Sequence, residues 1–290
     1  MNFEEYASEL YPAALAKISA ALTEATPLQQ FELVVLRLMH LLEREERLLI
    51  PETRSGAAFR VLAAKACNES IGFIGCLRAG SLWAALHHVR AMLEIFASTH
   101  HLVCKASSRE TRFERFAAYP DLILYQAHLR QRALLEAGTL TKTEYEAARI
   151  VSTDTLEKLS AAAKQWAKLY SRDDLLKVRY WHAPSSIETL FRELDARPNR
   201  EPTFPLYEHI CHAIHVSPVG HRTVGTPGIA VFGLPNDRDR VNRDINVIAM
   251  HLFECVYVWN EEFVPGSRLL HRLNTQIMLY AEARQATASS

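Results

Sequence analysis

The chain has 290 residues, of which 49% are hydrophobic and 23% charged. That excludes a mainly disordered protein and leaves room for a well-buried core in one large or two modest domains. Thirty-three basic residues balance thirty-three acidic ones, so no global field attracts nucleic acid or anionic membrane, and any polyanion binding must come from a local patch.

Glycine is scarce, at 10 residues, as expected of helices, whose interiors lose roughly 1 kcal/mol per Gly relative to Ala. The expected class is all-α, a multi-helix bundle. Cys67, Cys76, Cys104, Cys211 and Cys255 are odd in number, lack any CxxC pair and lie in apolar helical runs, so they read as small buried hydrophobes. The N-terminus carries Glu4, Glu5 and Glu9 in place of the basic start of a signal peptide, and no run of about 18 apolar residues is present. The expected setting is the cytoplasm, with no membrane partner.

In chain order, residues 1–54 read as an N-terminal helical hairpin, 55–285 as the main helical domain and 286–290 as a disordered tail. Phe3 to Ala25 has Tyr6, Leu10, Ala14 and Ile18 on one face, with Pro12 as its interior defect. Thr26-Pro27 supplies an N-cap followed by Pro at the first helical position. The next helix sets Phe31, Val34, Val35 and Leu38 against a solvated charge run at Glu43 to Arg47. Pro51 to Gly56 breaks the chain, and a helix of small and apolar residues follows to about Arg78, interrupted by Asn68 and Glu69.

Leu82 to Cys104 is the organising helix. At about 100° per residue it places Trp83, His87, Arg90, Glu94, Ser98 and His101 on one stripe, with apolar residues around the remainder. A helix so largely apolar is buried, and its charges must find partners or face a cavity. The short Ala79-Gly80-Ser81 turn makes the preceding helix an antiparallel neighbour, which brings Glu69 beside the stripe. Of the doublets His87-His88 and His100-His101, one member of each is expected to face solvent.

Arg109 to Phe116 opens a charged helix, which Tyr119-Pro120-Asp121 is expected to end before another begins. Thr141 with Glu144 forms a capping box, opening a long, weakly amphipathic surface helix to about Tyr170. Arg179 to Pro184, with Trp181 and His182, is an aromatic and polar loop closed by a second capping box at Ser185 and Glu188. Pro198, Pro202 and Pro205 suggest an extended linker to a helix over 206–216, on which Tyr207, Ile210, Cys211 and Ile214 form the core face while Glu208, His212 and His215 cluster beside it. Ser217-Pro218 ends that helix, and a long irregular loop follows near residues 217–236. A buried helix over 237–264 and a last one to about Arg284 complete the chain.

The Arg-x-x-x-Glu pair at Arg90 and Glu94, the Arg-Phe segment at Arg112, Phe113 and Tyr119, Trp181 ahead of a capped helix, and His-x-Ser-Pro at His215 occur in an order that resembles a bacterial family of helical proteins catalogued as a domain of unknown function. The resemblance covers roughly 57–222 and implies an all-helical domain. A more distant likeness to the HEPN superfamily implies RNase activity of the toxin and defence type. The chain departs from the HEPN pattern of Arg, four to six residues, then His; Arg243 and His251 come nearest, with seven between.

The candidate catalytic set is Arg90, Glu94 and His215: a guanidinium for an anion, an imidazole for acid–base work near neutrality, and a carboxylate to orient one of them. That is the chemistry of metal-independent phosphodiester cleavage, with RNA as the partner. His87, Trp181, His182, Tyr207, His212 and Ser217 are candidate binding residues. The bland alternative makes Arg90 and Glu94 a structural pair and His215 a core hydrogen-bonder, in a helical scaffold or ligand-binding protein that pairs with another protein or with itself. No nucleophile triad, phosphate-cradling glycine loop or zinc pattern occurs, and the Glu-x-x-His spacing of bundle metal sites is missing, so neither metal nor cofactor is expected.

Overall fold

The computed structural model describes residues 26–40, 42, 50–148, 152–183, 185–196, 202–214 and 238–265. Among them are nine α-helices and no strand: α1 Pro27–His40, α2 Arg54–Arg78, α3 Leu82–Val103, α4 Arg109–Glu136, α5 Lys142–Ala147, α6 Thr153–Tyr170, α7 Ile187–Asp195, α8 Phe204–Ile214 and α9 Arg238–Val258. The all-α expectation holds. No helix among these residues is long and apolar enough to cross a membrane. Contacts divide the chain into two compact units, one of residues 1–103 and 191–290, the other of residues 104–190.

In the first unit α3 is the central helix, packed by α2, α8 and α9, with α1 against α2 and α9. Its burial follows from its sequence: Leu86, Val89, Met92, Leu93, Ile95 and Phe96 are all almost fully enclosed. The turn from α2 into α3 uses Gly80 at φ +74°, a left-handed conformation that costs glycine little. Gly72 lets α2 approach α3 closely, since a Cβ there would lie 2.3 Å from the His88 ring. Trp259, in the π-helical turn that continues α9, closes this core: its indole donates to Thr99 Oγ1 at 3.2 Å, and its ring meets Phe59 edge-on.

The second unit is built on α4 and α6. Pro120 does not end a helix; α4 runs unbroken through it. An interior proline costs about 3 kcal/mol, but both halves of α4 are tied to the same stretch of chain, 169–179. Arg115 Nε donates to the Leu169 carbonyl and the Tyr119 hydroxyl to the Arg179 carbonyl; beyond the proline, the Gln126 amide donates to the carbonyls of Leu175 and Val178.

The long surface helix expected after Thr141 is likewise corrected. The capping box is present at α5, but a separate α6 starts at its own cap, Ser152, and buries Leu159, Trp166 and Tyr170 in the core of this unit. Three large side chains, two of them aromatic, suffice to dock a helix that is otherwise Ala- and Lys-rich. The cap of α7 is Ser186, whose hydroxyl accepts from Thr189 N, one residue later than expected.

Candidate polar site on α3 and α8

The site is assembled from two helices of the first unit. Arg90 and Glu94 stand one turn apart on the less buried face of α3, and Arg90 Nη2 lies 2.8 Å from Glu94 Oε1. The second helix, α8, begins earlier than the proline pattern suggests. The Asp195 carboxylate accepts from the backbone N–H groups of Thr203 (2.8 Å) and Phe204 (3.0 Å), satisfying donors that a helix start leaves unpaired. Pro205 then sits in the first turn, where its missing N–H breaks no helical hydrogen bond.

This start places Tyr207 against Phe191, with ring centroids 4.6 Å apart, and holds the phenol so that its hydroxyl reaches α3. Tyr207 Oη donates to Glu94 Oε1 at 2.9 Å and accepts from Arg90 Nη2 at 3.3 Å. The guanidinium carbon also lies 5.6 Å from the centre of the Tyr207 ring, in cation–π range. The three groups form a closed triangle across two helices.

Its electrostatics are definite. Burial works against the charge of Arg90, but the hydrogen bond with Tyr207 and the nearby Glu94 carboxylate outweigh it and hold the guanidinium above its ordinary pKa. Burial, reinforced by Glu94, pushes the Tyr207 hydroxyl above its ordinary value. At neutral pH the site therefore holds a full cation and a neutral phenol donor. Both contacts to Arg90 use Nη2, and its Nε–H is buried without a hydrogen-bond partner. The Arg90 side chain is about one-third exposed, so the group is reachable from one side, although not at Nε.

Tyr207, expected only as a secondary binder, is the residue that links the two charged groups. His87 is exposed on α3, and His212 is exposed on α8 beyond Cys211. Trp181 and His182 belong to the second unit, where Trp181 meets Phe116 edge-on at 5.1 Å and His182 Nδ1 donates to the Ser185 carbonyl at 2.8 Å. His215, Ser217 and the 217–236 loop lie outside the described residues.

Glu69 does not join Glu94; its carboxylate is 2.9 Å from His88 Nδ1. The expectation that one of His100 and His101 faces solvent is overturned, for both are buried. Edge-on packing between Phe96 and His100, and a 2.8 Å contact between His101 Nδ1 and Glu193, enclose them. A helix packed on several sides leaves no solvent face at its C-terminal end. Comparison of the chain with protein-family models, curated proteins and solved structures found no match.

Proposed function

We propose that the protein is a metal-independent RNA-cleaving effector of the defence or toxin kind, acting in the cytoplasm, with Arg90 as its phosphate-recognising group. The observation that carries this reading is the unspent hydrogen-bonding capacity of Arg90. Its charge is secured by Tyr207 and Glu94, both through Nη2, while the side chain as a whole stays about one-third exposed. A guanidinium oriented by a carboxylate and a phenol, with donors to spare, suits a phosphodiester oxygen.

In the reaction this implies, the ribose 2′-oxygen bonds to phosphorus, the bond from phosphorus to the 5′-oxygen breaks, and a 2′,3′-cyclic phosphate forms. A base removes the 2′-hydroxyl proton and an acid returns one to the 5′-oxygen. His215 retains that acid–base part by its residue type. Arg90 offsets the charge that builds on the phosphoryl oxygens. Tyr207, kept protonated, positions Arg90 and Glu94. The likeness to the helical family of unknown function and to HEPN proteins belongs to the same proposal.

The test is induced expression of wild type beside Arg90→Ala and His215→Ala, following growth and total RNA, with folding checked by circular dichroism. RNA loss with wild type, absent in folded variants, supports the reading; intact RNA and unaffected growth with wild type count against it.

One observation favours a second reading. The triangle already satisfies part of each of its members and ties α3 to α8, as a non-catalytic helical scaffold or ligand-binding protein that self-associates would require. In that case Arg90→Ala lowers stability and changes nothing in RNA.

A further inference from the structure

The second unit carries an aromatic arrangement that the Arg90 site does not use. Tyr180 and His182, two residues apart, stack with ring centroids 5.1 Å apart and planes 5° from parallel. The two differ sharply in environment: His182 is 4% exposed, whereas Tyr180 is 50% exposed. His182 is fixed from behind by its Nδ1 hydrogen bond to the Ser185 carbonyl and by the Trp181 ring, edge-on at 5.4 Å, which itself meets Phe116. An exposed phenol ring is thus backed by a buried, immobilised one.

Two arginines lie in the same region of this unit. Arg179 is exposed and precedes Tyr180 in the chain, its carbonyl held by the Tyr119 hydroxyl. Arg130 and Tyr180 both act electrostatically on that same Tyr119 hydroxyl, which burial pushes above its ordinary pKa, so both lie within electrostatic reach of it. Arg130 is itself exposed.

From this geometry we propose that Tyr180 is a base-stacking shelf for single-stranded RNA, with Arg179 and Arg130 placed to meet the adjoining phosphates. Every base has a face that stacks on an aromatic ring, and a pre-ordered ring loses little entropy on binding. Single strands are favoured over duplex because only unstacked bases can reach such a ring. The proposal rests on the RNA reading of the preceding section and adds where the strand is held.

The test uses the full chain and a fluorescein-labelled 12-mer of 2′-O-methyluridine, which lacks the 2′-hydroxyl needed for cleavage, with affinity read by anisotropy. Wild type should bind it. Tyr180→Ala should weaken binding roughly 5- to 100-fold, while Tyr180→Phe, which keeps the ring, should stay within about twofold of wild type. Equal affinity for wild type and Tyr180→Ala, or no binding by wild type, overturns the shelf. Cleavage of the all-ribose 12-mer is followed separately. Cleavage that Tyr180→Ala leaves intact, with unaltered binding, sinks the shelf and spares the nuclease; Tyr180-dependent binding without any cleavage does the reverse.

Discussion

Each unit of this chain holds a set of partly or fully buried polar side chains, but the two use them differently. In the second unit Gln126, Arg115, Tyr119 and Tyr170 all donate to backbone carbonyls. In the first, Arg90, Glu94 and Tyr207 bond to one another. A side chain that satisfies a backbone carbonyl shapes the chain, because an unpaired buried carbonyl costs about as much as a lost hydrogen bond. A cluster of side chains bonded among themselves leaves the backbone indifferent and holds a defined charge in a defined place. The first arrangement is architecture. The second is a candidate site.

The largest effect separating the two should come from Gln126. It is 1% exposed, and its amide meets the carbonyls of Leu175 at 2.6 Å and Val178 at 2.8 Å. Gln126→Ala strands the Val178 carbonyl and leaves the Leu175 carbonyl only its turn bond from Val178 N–H, and should cost about 1 to 3 kcal/mol, measured by denaturant unfolding. A loss under about 1 kcal/mol would mean that water replaces the amide there and that the contrast is overstated.

Tyr170→Phe comes next. The hydroxyl donates to the Arg115 carbonyl, and its removal should cost about 1 to 2 kcal/mol. The same residue has a pH signature. Burial raises the pKa of both Tyr170 and Tyr207 above the ordinary value of 10.0, so their neutral forms stabilise the fold. That contribution is complete below pH 10 and declines above it, because the unfolded phenol ionises first and holds fewer protons than the native one. Wild-type stability should therefore fall above about pH 10, and the Tyr170→Phe, Tyr207→Phe double variant should fall less steeply. Equal slopes in alkaline unfolding curves would refute the assignment.

Tyr207→Phe should have the smallest effect on stability, at most about 1 kcal/mol, because the ring stays against Phe191 and the Arg90–Glu94 contact survives. Its consequence should be functional: with the bridging hydroxyl gone, Arg90 is held less rigidly, and RNA cleavage should drop about tenfold or more. A variant that loses stability without losing cleavage would place Tyr207 with the structural group.

This contrast was only partly legible in the sequence. Periodicity exposed the all-helical class, the buried face of α3 and the core face that runs from Ile245 in α9 to Trp259 in the turn beyond it, because a continuous 3.6-residue pattern survives whatever packs against it. It also put Arg90 and Glu94 one turn apart. It did not assign the bridge to Tyr207. A tyrosine on a core face reads as packing, and only the direction of α8, set by the Asp195 cap and by Phe191, aims its hydroxyl at α3. The passage of α4 through Pro120 and the docking of α6 were hidden for the same reason: they depend on the 169–179 segment, which no local pattern announces. A polar tip on an otherwise apolar face, four residues before Cys211, was the one signal that could have raised Tyr207 to the first rank.

The most direct test of the central claim is cleavage of the all-ribose 12-mer by Arg90→Ala at a protein concentration and temperature where its unfolding curve shows it native. Arg90→Ala should be folded, destabilised by no more than about 1 kcal/mol since the pair is partly exposed and screened, and should have lost cleavage. Cleavage equal to wild type, or no cleavage by wild type itself, would contradict it and leave the Arg90–Glu94–Tyr207 triangle as a tie between two helices.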